Sequence, residues 1–170
     1  TTTLRFTYSS MTTHQRTYDY NMASRTRTLR KEQEVPSGHD PASYVTRRLF
    51  VESHDGARVP ISVLHHIETT IDGTAPCMLY GYGSYGMSMP ASFSPNRLSL
   101  VDRGFVYAIA HIRGGTERGY GWYTAGKLMN KRNTFEDFIA AGEHLAQASY
   151  TARGEIAIHG GSAGGMLVGA

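Results

Sequence analysis

The pentapeptide Gly160-Gly161-Ser162-Ala163-Gly164, set directly behind the strand-like run Glu155–Gly160, constrains this 170-residue chain more tightly than any other feature. A short apolar run followed by paired glycines, a serine and a further glycine predicts a strand, a sharp turn and a helix that begins near Ala163. The turn forces the serine into a strained backbone conformation. Cβ atoms at the flanking positions would collide with the neighbouring strand and helix, which is why glycine stands there.

The sequence ahead of the turn supplies strand and helix in alternation. Cys77–Gly81 and Phe105–Ile112 are nearly continuous apolar runs, as expected, together with Glu155–Gly160, for strands covered on both faces of a parallel sheet. Between the first two, Ser94-Pro95 offers an N-cap and first-turn proline, Leu98 and Val101 share a face, and Gly104 closes a short helix. A second helix is predicted over 134–148. Asn133 and Glu136 have capping-box spacing, and Phe135, Phe138, Ile139, Gly142 and Leu145 trace one stripe. Two further strands, Tyr44–Glu52 and Arg58–His66, meet through Asp55-Gly56, a dipeptide suited to a hairpin turn. The class is α/β with right-handed crossovers.

The first third reads differently. Arg5–Ser9, Arg16–Asn21 and Arg27–Lys31 are short strands rich in Thr, Tyr and Arg, an incomplete β unit. Pro36-Ser37-Gly38-His39-Asp40-Pro41 then marks a hinge, with His39 expected in solvent. Residues 1–48 hold eight Lys and Arg against four Asp and Glu, so the net charge of +3 belongs to this segment. Its arginines alternate with Thr and Tyr, which suits the wet face of a strand and argues against nucleic-acid binding. No run approaches the roughly 18 apolar residues of a spanning helix, and the first residues lack a signal-peptide core. Cys77, the single cysteine, lies in an apolar run and reads as a buried structural residue; one cysteine fits a reducing, cytoplasmic compartment. No zinc-type ligand spacing is present.

Ser162 is the candidate nucleophile, because Gly-x-Ser-x-Gly after a strand is the elbow of the α/β-hydrolase fold. The rival reading is a glycine-rich connecting turn or a phosphate loop, but the glycine pattern or Gly-Lys-Ser ending of such a loop is missing. Tyr80-Gly81-Tyr82-Gly83-Ser84-Tyr85-Gly86 follows the third strand after the hinge, where this fold places half of its oxyanion hole. Two readings compete for Tyr82: a phenol aimed at the oxyanion, or an aromatic filling a glycine-rich loop. Arg113-Gly114-Gly115-Thr116-Glu117-Arg118-Gly119 also lies at the sheet's carboxyl edge and is read as a turn ahead of substrate contact.

In this order, Tyr80-Gly81-Tyr82-Gly83, Arg113-Gly114-Gly115, the Trp122 segment, Asn133-Thr134-Phe135-Glu136-Asp137-Phe138 and Gly160-Gly161-Ser162-Ala163-Gly164-Gly165 resemble the prolyl oligopeptidase family of serine peptidases. The Gly-Ser-Tyr-Gly ending of the first loop and Ala163 resemble its oligopeptidase B branch. The resemblance implies an incomplete α/β-hydrolase fold preceded by the last strands of a β-propeller. Residues 1–35 would be the propeller's end, 36–43 the linker and 44–170 the start of the peptidase domain. It further implies Ser162 as nucleophile, an oxyanion hole from the Tyr82 hydroxyl and the Ala163 N–H, and Tyr85 near the substrate pocket. The triad's Asp and His would lie beyond Ala170, as would the acids that select Arg or Lys. None of the eight histidines takes the base's place; His159 and His111 read as packed in strands. The expected activity is endopeptidase cleavage of short peptides after basic residues, with no cofactor and with the segment alone inactive. Prolyl oligopeptidase, acyl-peptide hydrolase or esterase activity, and a non-catalytic role, are the alternatives.

Overall fold

The computed structural model describes residues 2–170, which form two sheets. β1 (Thr3–Tyr8), β2 (Arg16–Asn21) and β3 (Thr26–Glu32) make an antiparallel three-stranded sheet. Asp19 lies between Arg5 and Arg30 on this sheet, at 2.7 and 2.8 Å, so the alternating arginines do mark a solvated, charge-paired face.

The second sheet contains β4 (Tyr44–Glu52), β5 (Arg58–His66), β6 (Cys77–Tyr80), β7 (Val106–Ala110) and β8 (Ile156–His159), in the order β4-β5-β7-β6-β8. β4 and β5 form the expected hairpin, whose turn places Gly56 at φ +80°, a conformation that an L side chain resists. β5 pairs antiparallel with β7, whereas β7, β6 and β8 are parallel, so the sheet is mixed.

Alternation along the central strands sorts their side chains onto two faces. Val59, Ile61 and Val63 of β5 and Val106, Ala108 and Ala110 of β7 point toward α3 (Arg132–Gln147), meeting Phe138, Ala141 and Leu145. Leu64, Tyr107 and Ile109 point to the other face, against Leu98 and Val101 of α1 (Pro95–Val101). α1 starts as its sequence predicts, with the Ser94 hydroxyl accepting from the Arg97 amide and Pro95 in the first turn. Cys77 is fully buried in the first cluster, and burial pushes its thiol up to about 12. No helix among the described residues is long and apolar enough to cross a membrane.

Four expectations are corrected. Of the stripe predicted on the second helix, Ile139 is 56% exposed, and the fully inward positions include Thr134 and Asp137. The capping box does not form: the helix starts at Arg132 with Lys131 at its N-cap, the Asn133 amide donates to Ala125 O at 3.0 Å, and Glu136 accepts from Arg132. β8 is not covered on both faces. It is an edge strand among the described residues, pairing with β6 alone, and Ala157, Ile158 and His159 are exposed. His39 is not in solvent but half-buried in the seam between the two sheets. Its Nε2 lies 2.6 Å from Thr12 O, and its ring packs against Phe93 and Tyr44 because Met11, Ser9 and Thr12 of the β1–β2 turn dock there.

Candidate active site

Ser162 stands between β8 and α4 (Ala163–Gly169) with φ 54° and ψ −120°, a conformation that costs an L residue on the order of 1–3 kcal/mol. Close packing of backbone holds it there. A Cβ on Gly160 would overlap the carbonyl of Gly164, and one on Gly164 would come within 2.8 Å of Gly81 O and 3.5 Å of the Tyr82 ring. Gly161 has open space around it, so the collisions foreseen from the sequence belong to Gly160 and Gly164. Ser162 is exposed, and Ala163 is the first residue of α4, where amides have no intrahelical acceptor.

The segment after β6 lies across this turn. Gly81 donates its amide to His159 O at 3.2 Å, which joins the ends of the two parallel strands. Any Cβ at Gly81 would strike the Phe138 ring and Leu167, and Gly83, at φ +65°, is pressed on Ile112 and Thr134. Tyr82 is thus carried between two closely packed glycines, with its ring beside Gly164. Tyr85, also at positive φ (56°), is 75% exposed. It lines a cavity of about 420 Å³ with Ser84, Tyr123, Lys127, Lys131 and Ala163. The structure therefore sets the Tyr82 ring against Gly164, two residues after Ser162, at the sheet's carboxyl edge, and places Ala163 and Tyr85 on the wall of one cavity.

The Arg113 loop is more than a turn. The arginine side chain is 4% exposed and grips Asp137 of α3, which is fully buried. Nε and Nη2 donate to the carboxylate at 2.9 and 2.7 Å, and the Arg113 backbone amide adds a third bond at 2.9 Å. Nη2 also reaches Asp55 in the β4–β5 turn at 3.0 Å. Burial disfavours the charged guanidinium, but the bonds to Asp137 and Asp55 outweigh it and hold the Arg113 pKa above its ordinary value. Those to Arg113 bring Asp55 down to about 2. Thr134 completes the clamp by donating to Arg113 O at 2.8 Å. Gly114, at φ +100°, then fits against the Gly83 carbonyl, where a side chain would overlap.

From the sequence, Asp55 is only a turn residue, Thr134 and Asp137 figure only within the segment 133–138, and Lys131 is assigned nothing. The available signal was an acid inside the apolar face of a helix, which requires a partner, together with one arginine set among glycines. Among the described residues no group of three or more His, Cys, Asp or Glu could hold a metal ion. His111 is packed as expected, buried and bonded to Ser62 at 2.8 Å, whereas His159, expected to be packed, is exposed at the end of the edge strand β8.

The sequence profile of the prolyl oligopeptidase family matches residues 91–170, which include the Arg113 clamp, α3 and the Ser162 turn. The chain belongs to the prolyl oligopeptidase family. It is 48% identical over 98% of its length to dipeptidyl aminopeptidase BI of Pseudoxanthomonas mexicana, covering 23% of that protein. It is 42% identical over 96% of its length to Protease 2 of Moraxella lacunata, covering 24% of it. The structure of oligopeptidase B from Leishmania major superimposes with a TM-score of 0.92 at 46% identity, over all of this chain and 24% of that one. The chain thus spans about a quarter of the length of the family members it matches.

Proposed function

We propose that this chain is the part of a longer serine peptidase that carries the nucleophile and the oxyanion hole. Ser162 Oγ attacks the scissile carbonyl carbon, the C–N bond breaks as the leaving amine takes the proton removed from the serine, and water then hydrolyses the acyl-enzyme to the free acid and the serine. The Tyr82 hydroxyl and the Ala163 amide donate to the oxyanion of each tetrahedral intermediate. In this reading the histidine that takes the serine proton and the aspartate that orients it belong to the three quarters of the family members' length outside this segment. The observation that carries the proposal is the strained Ser162, packed through Gly164 against the ring of Tyr82.

Residues 1–35 are assigned to the end of a β-propeller, 36–43 to the linker and 44–170 to the start of an α/β-hydrolase peptidase domain, supported by the separate three- and five-stranded sheets and by the likeness to oligopeptidase B. Short peptides cleaved after Arg or Lys are the proposed substrates, and the cytoplasm the proposed location. The similarity to a dipeptidyl aminopeptidase favours one second reading, release of dipeptides from a free N-terminus.

The test uses the full-length protein and its Ser162→Ala variant on an arginyl endopeptidase substrate, a prolyl substrate and a dipeptidyl amide. Turnover of the arginyl substrate that disappears in the variant is the expected result. Turnover that survives Ser162→Ala would remove the serine from the mechanism, and preference for either other substrate would move the specificity without moving the nucleophile.

A further inference from the structure

Lys131 is badly placed for the helix it begins. It is the N-cap of α3, a position that favours Ser, Thr, Asp or Asn, and its ammonium meets the positive end of a 16-residue helix. It is half-buried, and burial lowers its pKa. No carboxylate among the described residues pairs with it. Local stability would be better served by Ser, Thr, Asp or Asn, so the compensation for these costs lies elsewhere.

It lies in the loop after β6. Lys131 Nζ donates to Gly83 O at 2.6 Å and to Ser84 Oγ at 2.8 Å. These groups follow Tyr82 directly. On its other side Tyr82 is fixed by the bond from Gly81 to His159, and Gly83 is backed by Gly114 and Thr134. Without the ammonium the Gly83 carbonyl would lose its charged donor, and the Gly83-Ser84 peptide could rotate. We propose that Lys131 is a positioning residue for catalysis: it holds the Gly83-Ser84 peptide so that the Tyr82 hydroxyl points to the same place as the Ala163 amide. This rests on the reading of Tyr82 as an oxyanion donor. Lys131 acts through Tyr82 and touches no reacting atom itself.

The experiment is a double-mutant cycle in the full-length protein with Lys131→Met, which keeps most of the side chain's apolar stem and removes its donors, and Tyr82→Phe. Two rates are read: peptide turnover on whichever of the three substrates the parent cleaves, and labelling of Ser162 by a fluorophosphonate, which does not depend on peptide specificity. Tyr82→Phe is expected to lower kcat about 100-fold or more, the usual loss for one oxyanion donor. Lys131→Met should lower kcat by about 10- to 100-fold with KM within about twofold, and labelling should slow in step. In the Tyr82→Phe background the same substitution should cost less than about threefold, because the group it positions is gone.

An undiminished effect of Lys131→Met in that background, or no effect in the parent, overturns the proposal. If Tyr82→Phe alone leaves both rates intact, the oxyanion reading itself has failed and this inference falls with it. Should Lys131→Met not fold, Ser84→Ala goes through the same cycle, since it removes one of the two anchors while keeping the ammonium. An additive result there overturns the proposal equally.

Discussion

Asp137→Ala should loosen the middle of the α/β sheet without touching the Ser162 turn. The carboxylate is fully buried and accepts three bonds, from the Arg113 backbone amide, Nε and Nη2 at 2.9, 2.9 and 2.7 Å. Removing one partner of a buried pair costs about 3–5 kcal/mol, because the other charge stays desolvated. Asp55 remains to share the guanidinium, but its side chain is 39% exposed and its attraction is screened, so the lower end of that range, about 3 kcal/mol, applies. At about 1.4 kcal/mol per decade, amides that open with this region should exchange with solvent roughly 100-fold faster. Hydrogen–deuterium exchange read by mass spectrometry on peptides from β7 and the first turns of α3, in the full-length protein, measures this directly. Replacing both partners at once, as Arg113→Met with Asp137→Leu, should restore much of the protection, since the buried charges go together. Asp55 loses its partner but its side chain is 39% exposed, and the backbone amide of position 113, which loses its acceptor, accounts for the remaining deficit. An acceleration below about fivefold in Asp137→Ala, or a double variant as unprotected as the single, would refute the account of the clamp as a desolvated ion pair.

Phe138→Ala should cost about 3–5 kcal/mol, since the ring is buried against Gly81 and the sheet, whereas Ile139→Ser should stay within about 0.5 kcal/mol; a thermal unfolding series on the full-length protein compares them, and equal losses would restore the stripe first read from the sequence. Asp55 has its pKa brought to about 2 from an ordinary 3.8, so its contribution is complete above about pH 4 and is lost as the pH falls through about 2. After discounting for its exposure the contribution is about 1 kcal/mol, and the deficit of Asp55→Asn against the parent should therefore be present at pH 7 and close between pH 4 and 2 in chemical unfolding; a deficit unchanged across that interval would detach it from the carboxylate's charge.

What could be read in advance was local. The Ser162 turn is specified by five consecutive residues, and the strands by runs whose alternation or continuity is visible within a short window. The faces of α3 were harder, for a physical reason. Hydrophobicity ranks Ile139 inward and Asp137 outward, yet Asp137 is fully buried and Ile139 is 56% exposed. Burial of the acid is possible only because Arg113, 24 residues away, enters from a different loop to neutralise it, and no periodicity within the helix encodes that partner. The same applies to β8: its apolar residues announce a strand, but whether its faces are covered depends on elements distant in the chain.

The misread helix face is also where the site is organised. Lys131, Thr134, Asp137 and Phe138 follow at spacings of three, three and one, so they share one side of the helix start. Lys131 holds the loop after β6 by Gly83 and Ser84, Thr134 and Asp137 hold the loop after β7 by Arg113, and Phe138 fills the space that Gly81 leaves open. The two loops then lock together where Gly114 meets the Gly83 carbonyl. The elbow supplies the strained serine, but the position of Tyr82 relative to it is set from the opposite side, by a helix whose buried polar residues each bind a loop. A substitution on that face can consequently disturb the site while leaving Ser162 and its glycines unchanged, which a reading confined to the Gly-x-Ser-x-Gly motif would not anticipate.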